Sequence, residues 1–384
     1  MGNCKCENLN NQSDYEANFY GTYYPQKNQN NQINIISQQY LRNKNDNEYL
    51  IKSNLEKNNP LGSYLSIAEY KQLVNEKILN YIQNHKLNYQ EYFPSPINIY
   101  KSNPIKFKNG NIYYGYWNVD GEMEGYGVMM IKDRNVMTEG VWKKGNIVYG
   151  RIFFPNDDIY EGYLENSYPH GKGIIFFSNK EIYKGDFVDG EMTGKGTFIY
   201  SDKSYYSGKI KNGIFSGEGS MKWNNGTEYH GNFTDSILSG KGKMFNNVMG
   251  EKYIGNFDKN EFHGKGTYTY KNGDIYEGNY EHGIKKGKGI YKRNDKVDFD
   301  VTWDDDLPNG KGIVIYNKNK LNGFWRNGII IKKEILKGNL FIFNNVDLNL
   351  KPIKRTLCPS SLPHLNINDN QTNQFVLGTE YSLD

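Results

Sequence analysis

The stretch YIGNFDKNEFHGKGTYTYKNGDIYEGNYEHGIKKGKG, residues 253–289, holds one pattern twice. Tyr253, Gly255 and Phe257 are followed by His263-Gly264-Lys265-Gly266 and a Lys271-Asn272-Gly273 turn. Tyr276, Gly278 and Tyr280 then lead to Gly287-Lys288-Gly289. Gly255 and Gly278 lie 23 residues apart, and the same ruler meets Gly115, Gly140, Gly162, Gly185, Gly208, Gly231, Val301 and Gly323 in steps of 22 to 25 residues. Self-similarity at such a period marks a repeat array. A merely Gly- and Tyr-rich tract would not hold its register for so long.

The side chains around the ruler explain its period. Two residues before it stand Tyr113, Thr138, Tyr160, Tyr183, Tyr206, Tyr229, Tyr253, Tyr276, Phe299 and Leu321. Two residues after it stand Trp117, Trp142, Leu164, Phe187, Ile210, Phe233, Phe257, Tyr280, Trp303 and Trp325. Apolar, glycine, apolar at even offsets puts all three on one face of a strand. A strand glycine marks a close approach, here expected from an aromatic ring of the neighbouring repeat. A second strand begins at each Gly-x-Gly, as at Gly171/Gly173, Gly194/Gly196 and Gly264/Gly266. Asn109-Gly110, Asn225-Gly226 and Asn272-Gly273 then supply the dipeptide of a tight hairpin turn with positive φ at both centres. The repeat unit is a β-hairpin.

This layout resembles the MORN repeat, whose pattern is Tyr-x-Gly-x-Trp, a short turn, then His-Gly-x-Gly; His170-Gly171 and His263-Gly264 match its His-Gly step. The resemblance spans roughly residues 105–330 and implies an all-β, elongated, curved solenoid of stacked hairpins. At about 4.8 Å per strand, nine repeats would extend roughly 90 Å. Such a sheet would present a groove lined by some of the ruler-flanking aromatics, most of them packing and a minority free for partners. Relatives built of repeats alone are associated with cell-cortex, ciliary and basal-body structures, with self-association into dimers, and with acidic phospholipids. Other relatives carry a phosphoinositide kinase or SET methyltransferase domain, for which the residues after the array are too few.

The whole chain divides into four parts. Residues 1–60 form an Asn/Gln-rich tether, too poor in apolar side chains to offset chain entropy. It opens on Met-Gly-Asn-Cys-Lys-Cys, where Gly2 is placed for myristoylation and Cys4 and Cys6 for palmitoylation, although the usual pattern has Ser or Thr where Cys6 stands. One acyl chain gives marginal membrane binding, so the cysteines are the second signal. Residues 61–104 hold a helix over 66–84 and a Pro-rich connector. Ser66-Ile67-Ala68-Glu69 is its capping box, and Tyr70, Leu73, Val74, Ile78, Tyr81 and Ile82 share one face. That helix is expected to cap the first hairpin. Residues 105–330 are the array, with degenerate repeats at Gly140, Val301 and Gly323. Residues 331–384 supply closing strands and an irregular tail.

Composition narrows the function. The chain has 384 residues, 47 basic against 43 acidic, for a net charge of +4, which gives no reason to expect nucleic acid. Three cysteines make no disulfide framework. No apolar run nears 18 residues and no secretory leader opens the chain, so an intracellular protein is expected. His170 and His263 sit in a repeat register, and the six Gly-Lys-Gly triplets lack the other positions of a phosphate loop. No catalytic residue, metal ligand or cofactor is expected. What remains is a scaffold for cytoskeletal or signalling proteins, held by acyl chains at the cytoplasmic face of the plasma membrane or cell cortex. The alternatives are phosphoinositide binding by the repeats, with Lys172, Lys195, Lys241, Lys265, Lys288 and Lys311 at one register, or a ciliary component without a membrane anchor.

Overall fold

The computed structural model describes residues 63–88, 99–352, 355 and 357. They form two short helices and one open sheet of 22 antiparallel strands. Strands β1 (Tyr100–Lys101) and β2 (Ile105–Lys106) both pair with β3 (Ile112–Trp117), and from β3 to β22 (Ile329–Lys337) each strand pairs with the next in sequence. The all-β hairpin array expected from the sequence is the observed fold.

One repeat shows how the sequence builds it. Strand β15 (Glu251–Asp258) returns through Lys259-Asn260, both at positive φ, into β16 (Glu261–Thr269). This two-residue turn is of the primed kind that suits strand twist. The Lys271-Asn272-Gly273 connection to β17 (Ile275–Glu281) differs from expectation. Only Gly273 has positive φ there, because Gly273 N–H donates to the Tyr270 carbonyl while Asn272 Oδ1 accepts from Asp274 N–H at 3.1 Å. The Asn-Gly dipeptide therefore ends a three-residue loop, and the primed turn lies at the hairpin's other end.

The two glycines of each Gly-x-Gly do different work. Gly255 faces Gly266 across the ladder, but the next matched pair is Asn256 with His263, so a bulge falls at Gly264, whose φ is +57°. Gly266 lies beneath the Tyr253 ring: an added Cβ would meet the Tyr253 hydroxyl at 2.3 Å and ring carbons at 2.5 Å. The ring over the glycines is thus the repeat's own tyrosine, not a neighbour's as the sequence suggested. It leans along its strand and donates from its hydroxyl to the Asn256 carbonyl at 2.9 Å, inside the bulge. The same bond recurs from Tyr113, Tyr160, Tyr183, Tyr206, Tyr229 and Tyr276, each to the carbonyl three residues on.

Neighbouring repeats join edge to face. Tyr253 meets Phe257 of its own repeat at 5.2 Å and Tyr280 of the next at 5.4 Å. Tyr229 meets Phe233 and Phe257 at 5.2 and 5.0 Å, and Tyr276 meets Tyr280 and Trp303, both at 5.2 Å. These tilted geometries suit the ring quadrupole.

The opposite face of the first strands carries helices α1 (Ile67–Leu73) and α2 (Glu76–Asn84). The capping box forms as expected, but the single expected helix breaks at Val74, and Asn75 caps the second one with its side chain. Tyr70 and Val74 are buried against Ile112, Val128, Met137 and Phe153, whereas Leu73 points outward. Beneath α2, Arg151 binds Glu161 at 2.7 Å, Glu139 at 3.4 Å and the His85 carbonyl. Burial pushes the Glu139 carboxyl up, against Tyr126 and Arg151.

Candidate binding surfaces

Every aromatic proposed for the groove is buried. Tyr113, Trp117, Trp142, Tyr160, Tyr183, Phe187, Tyr206, Tyr229, Phe233, Tyr253, Phe257, Tyr276, Tyr280, Trp303 and Trp325 all lie in one core cluster, none more than 3% exposed. No minority is left open for partners. The repeat glycines Gly115, Gly162, Gly185, Gly208, Gly231, Gly255 and Gly278 are filled by their own tyrosines in the same way. Gly2, Cys4 and Cys6 lie outside the described residues.

Burial holds the tyrosines in their neutral form by pushing the phenols well up, as at Tyr253 and Tyr276. Neutral phenols suit donation to the bulge carbonyls.

The other face carries the lysines. Lys172, Lys195, Lys241, Lys265, Lys288 and Lys311 are all exposed, one per hairpin, with Glu218 breaking the row. Lys172 pairs with Asp186. From Lys241 onward the cross-strand neighbours are Asn256, Asn279, Thr302 and Phe324, and these four lysines hold no ion pair among the described residues. Successive lysines stand two strands apart, about 10 Å.

Inside the array, Lys285 is a residue that the sequence reading passed over. It faces Tyr280 where other hairpins place Phe262, Leu238, Phe215 or Met192. Its ammonium is buried among four rings, 4.7 Å from Trp303 and 5.1–5.5 Å from Tyr276, Tyr270 and Tyr291. Burial pushes Lys285 down to about 7, opposed by Asp306 and helped by Arg355; the ring faces favour the ammonium. Lining up the hairpins at this register would have exposed the exception.

Beyond β22, the described residues return over the same aromatic face. Phe343, Leu348, Leu350 and Leu357 are buried in the core cluster. Trp325 Nε1 donates to the Leu348 carbonyl at 2.9 Å, and Arg293 Nη1 donates to that of Asp347 at 2.7 Å. Arg355 meets Asp306 at 2.9 Å, and Leu357 N–H donates to the buried Glu251 carboxylate at 2.9 Å.

Among the described residues, no group of three or more His, Cys, Asp or Glu is placed to hold a metal, and no helix is long and apolar enough to cross a membrane.

Hairpins stacked through a Tyr-Gly-Gly unit, with their aromatics spent on packing, define a repeat scaffold of a non-catalytic type. MORN repeats are detected in it seven times, at residues 113–136, 160–181, 183–205, 206–228, 253–275, 276–296 and 302–319. The hairpin at Tyr229 falls between matches yet has the same geometry, with Tyr229 over Gly231 and Gly242. Among solved structures the chain is similar to the SAS-4 (dCPAP) TCP domain in complex with a proline-rich motif of Ana2 (dSTIL) of Drosophila melanogaster. That match has 15% identity, covers 43% of this chain and 83% of that one, and has a TM-score of 0.25. A streptogramin B lyase matches at 15% identity over 61% of this chain and 71% of its own, with a TM-score of 0.11. Both scores are too low to carry weight. No curated protein matches.

Proposed function

We propose that this chain is a non-enzymatic scaffold, held at the cytoplasmic face of a membrane by acyl chains on Gly2, Cys4 and Cys6, whose array gathers cytoskeletal or signalling proteins. The observation that carries this reading is the sevenfold MORN repeat, a module usually used for membrane or protein interaction. The Gly2-x-Cys4-x-Cys6 pattern adds two attachment signals, as stable anchoring requires. The test is membrane fractionation of the full chain beside Gly2→Ala and Cys4→Ser/Cys6→Ser variants. Wild type in the membrane pellet with the variants soluble supports the anchor. Identical behaviour of all three removes it and favours a ciliary or basal-body site set by the repeats.

The four exposed lysines from Lys241 to Lys311, without an ion pair among the described residues, favour a second reading, direct docking on anionic lipid. Four lysines in a row near such a surface are worth about 1 kcal/mol each. Unacylated full chain should then bind phosphoinositide vesicles in a salt-sensitive way and lose binding in a Lys241→Glu/Lys265→Glu/Lys288→Glu/Lys311→Glu variant. Equal binding by both would remove lysine-row docking.

A further inference from the structure

We infer that the aromatic face from Glu251 to Gly328 is a peptide-binding surface whose resident ligand is the chain's own segment, seen in the described residues 343–352, 355 and 357. Its partner class is an extended segment with apolar side chains two residues apart and an arginine downstream. This rests on reading the array as a protein-binding module and adds which face binds and what a partner must displace.

The first ground is how the segment is held. Trp325 and Arg293 donate to its carbonyls, Leu350 N–H donates to the Gly328 carbonyl at 2.9 Å, and Leu357 N–H is taken by Glu251. These are contacts to backbone, the means by which extended peptides are captured without regard to sequence. Selectivity comes from Leu348 and Leu350, both buried on one side, and from the Arg355–Asp306 pair.

The second ground is that the array departs from its own pattern to make the site. In several hairpins the residue four before the ruler position accepts from the next loop, as Asp158 does from Ser178 N–H at 2.7 Å and Asp274 from Asn294 N–H at 2.8 Å. Glu251 stands at that register and takes the Tyr268 hydroxyl as Asp274 takes that of Tyr291, but its remaining contact goes to Leu357 N–H rather than to the next loop.

The third ground is polar capacity left over at the site. Among the described residues, the Tyr270 and Tyr280 hydroxyls and Arg355 Nη1 are buried without a hydrogen-bond partner, so a partner carrying a polar group there would gain bonds that the described part of the segment does not make. The covalent tether raises the segment's effective concentration to about the millimolar range, so a partner has to compete with it.

The experiment uses the full chain with a fluorescein-labelled peptide of the sequence of residues 343–357. An Arg355→Glu/Leu357→Asp chain, in which the segment is unseated, should bind the peptide at least about tenfold more tightly than wild type does. The same peptide carrying the Arg355→Glu change should bind that chain at least about tenfold more weakly. No binding by a chain whose thermal melt still shows the array intact would overturn the inference, as would equal binding by both chains. Should the variant not fold, a protease site inserted after Gly338 in the full-length chain replaces it. Excess labelled peptide should exchange with the cleaved segment, and no exchange overturns the inference. Either failure leaves the fractionation result untouched, so the membrane scaffold stands or falls separately.

Discussion

Two kinds of repeat lie side by side in this sheet. Around Tyr183, Tyr206, Tyr229, Tyr253 and Tyr276, a tyrosine folds over two facing glycines and its hydroxyl closes the bulge. At Thr138, Phe299 and Leu321 no phenol is available, and in each case tryptophan stands four residues on. Its indole N–H finds a backbone carbonyl instead: Trp142 to Gly127, Trp303 to Gly289, Trp325 to Leu348. In the Phe299 repeat, Val301 takes the glycine's place and packs onto Gly312, whose added Cβ would meet it at 2.4 Å. A ring and one donor are needed per hairpin, and tyrosine or tryptophan supplies the pair.

The largest effect that would break this comparison is expected at Gly266. Gly266→Ala drives a methyl group into the Tyr253 ring and should cost about 3 kcal/mol or more, read as a fall in melting temperature or denaturant midpoint. Gly145, with open space around its missing Cβ, should tolerate alanine better despite its positive φ of 81°.

Next comes Lys285. Its folded value of about 7 lies below its ordinary 10.5, so between those pH values the unfolded chain holds a proton that the folded chain has released. Wild-type stability should therefore rise as pH climbs from 7 towards 10, with the full penalty present below 7. Lys285→Met should add about 2–4 kcal/mol at pH 6–7, with the gain shrinking towards pH 10. A gain independent of pH would show that charge is not the cause.

Smaller still, Tyr229→Phe keeps the ring and removes the bond to the Asn232 carbonyl, costing about 1 kcal/mol. The smallest expected effect is a gain. Lys203 holds φ at +71° at the loop position that Gly273 fills elsewhere, so Lys203→Gly should stabilise by about 0.5–1 kcal/mol, measured by the same melts.

Much of this was legible in the sequence. Hairpin period, strand faces and capping box depend on local spacing, and local spacing survives into the structure. Spacing alone puts the primed turn at the wrong end of the hairpin because Asn272-Gly273 suits two loop types, and the choice rests on the Asn272 side chain accepting from Asp274. The helix break at Val74 was hidden because its apolar spacing continues through Asn75. Spacing gives the face but not the lean of a side chain, so it does not tell whether the ring over Gly266 is the repeat's own or a neighbour's. Lys285, Glu251 and Arg355 become a group only through contacts between residues up to 106 positions apart, as from Glu251 to Leu357. No periodicity encodes those.

The central claim, that the aromatics are consumed in holding the repeats together, is tested most directly by a double-mutant cycle on Tyr253 and Gly266. Tyr253→Leu borrows the residue that stands naturally at Leu321. With the ring gone, Gly266→Ala should cost under about 1 kcal/mol, a coupling of about 2 kcal/mol or more relative to its cost in wild type. Additive costs would mean that the ring does not rest on the glycines, and the account of the aromatics as the joint between repeats would fail.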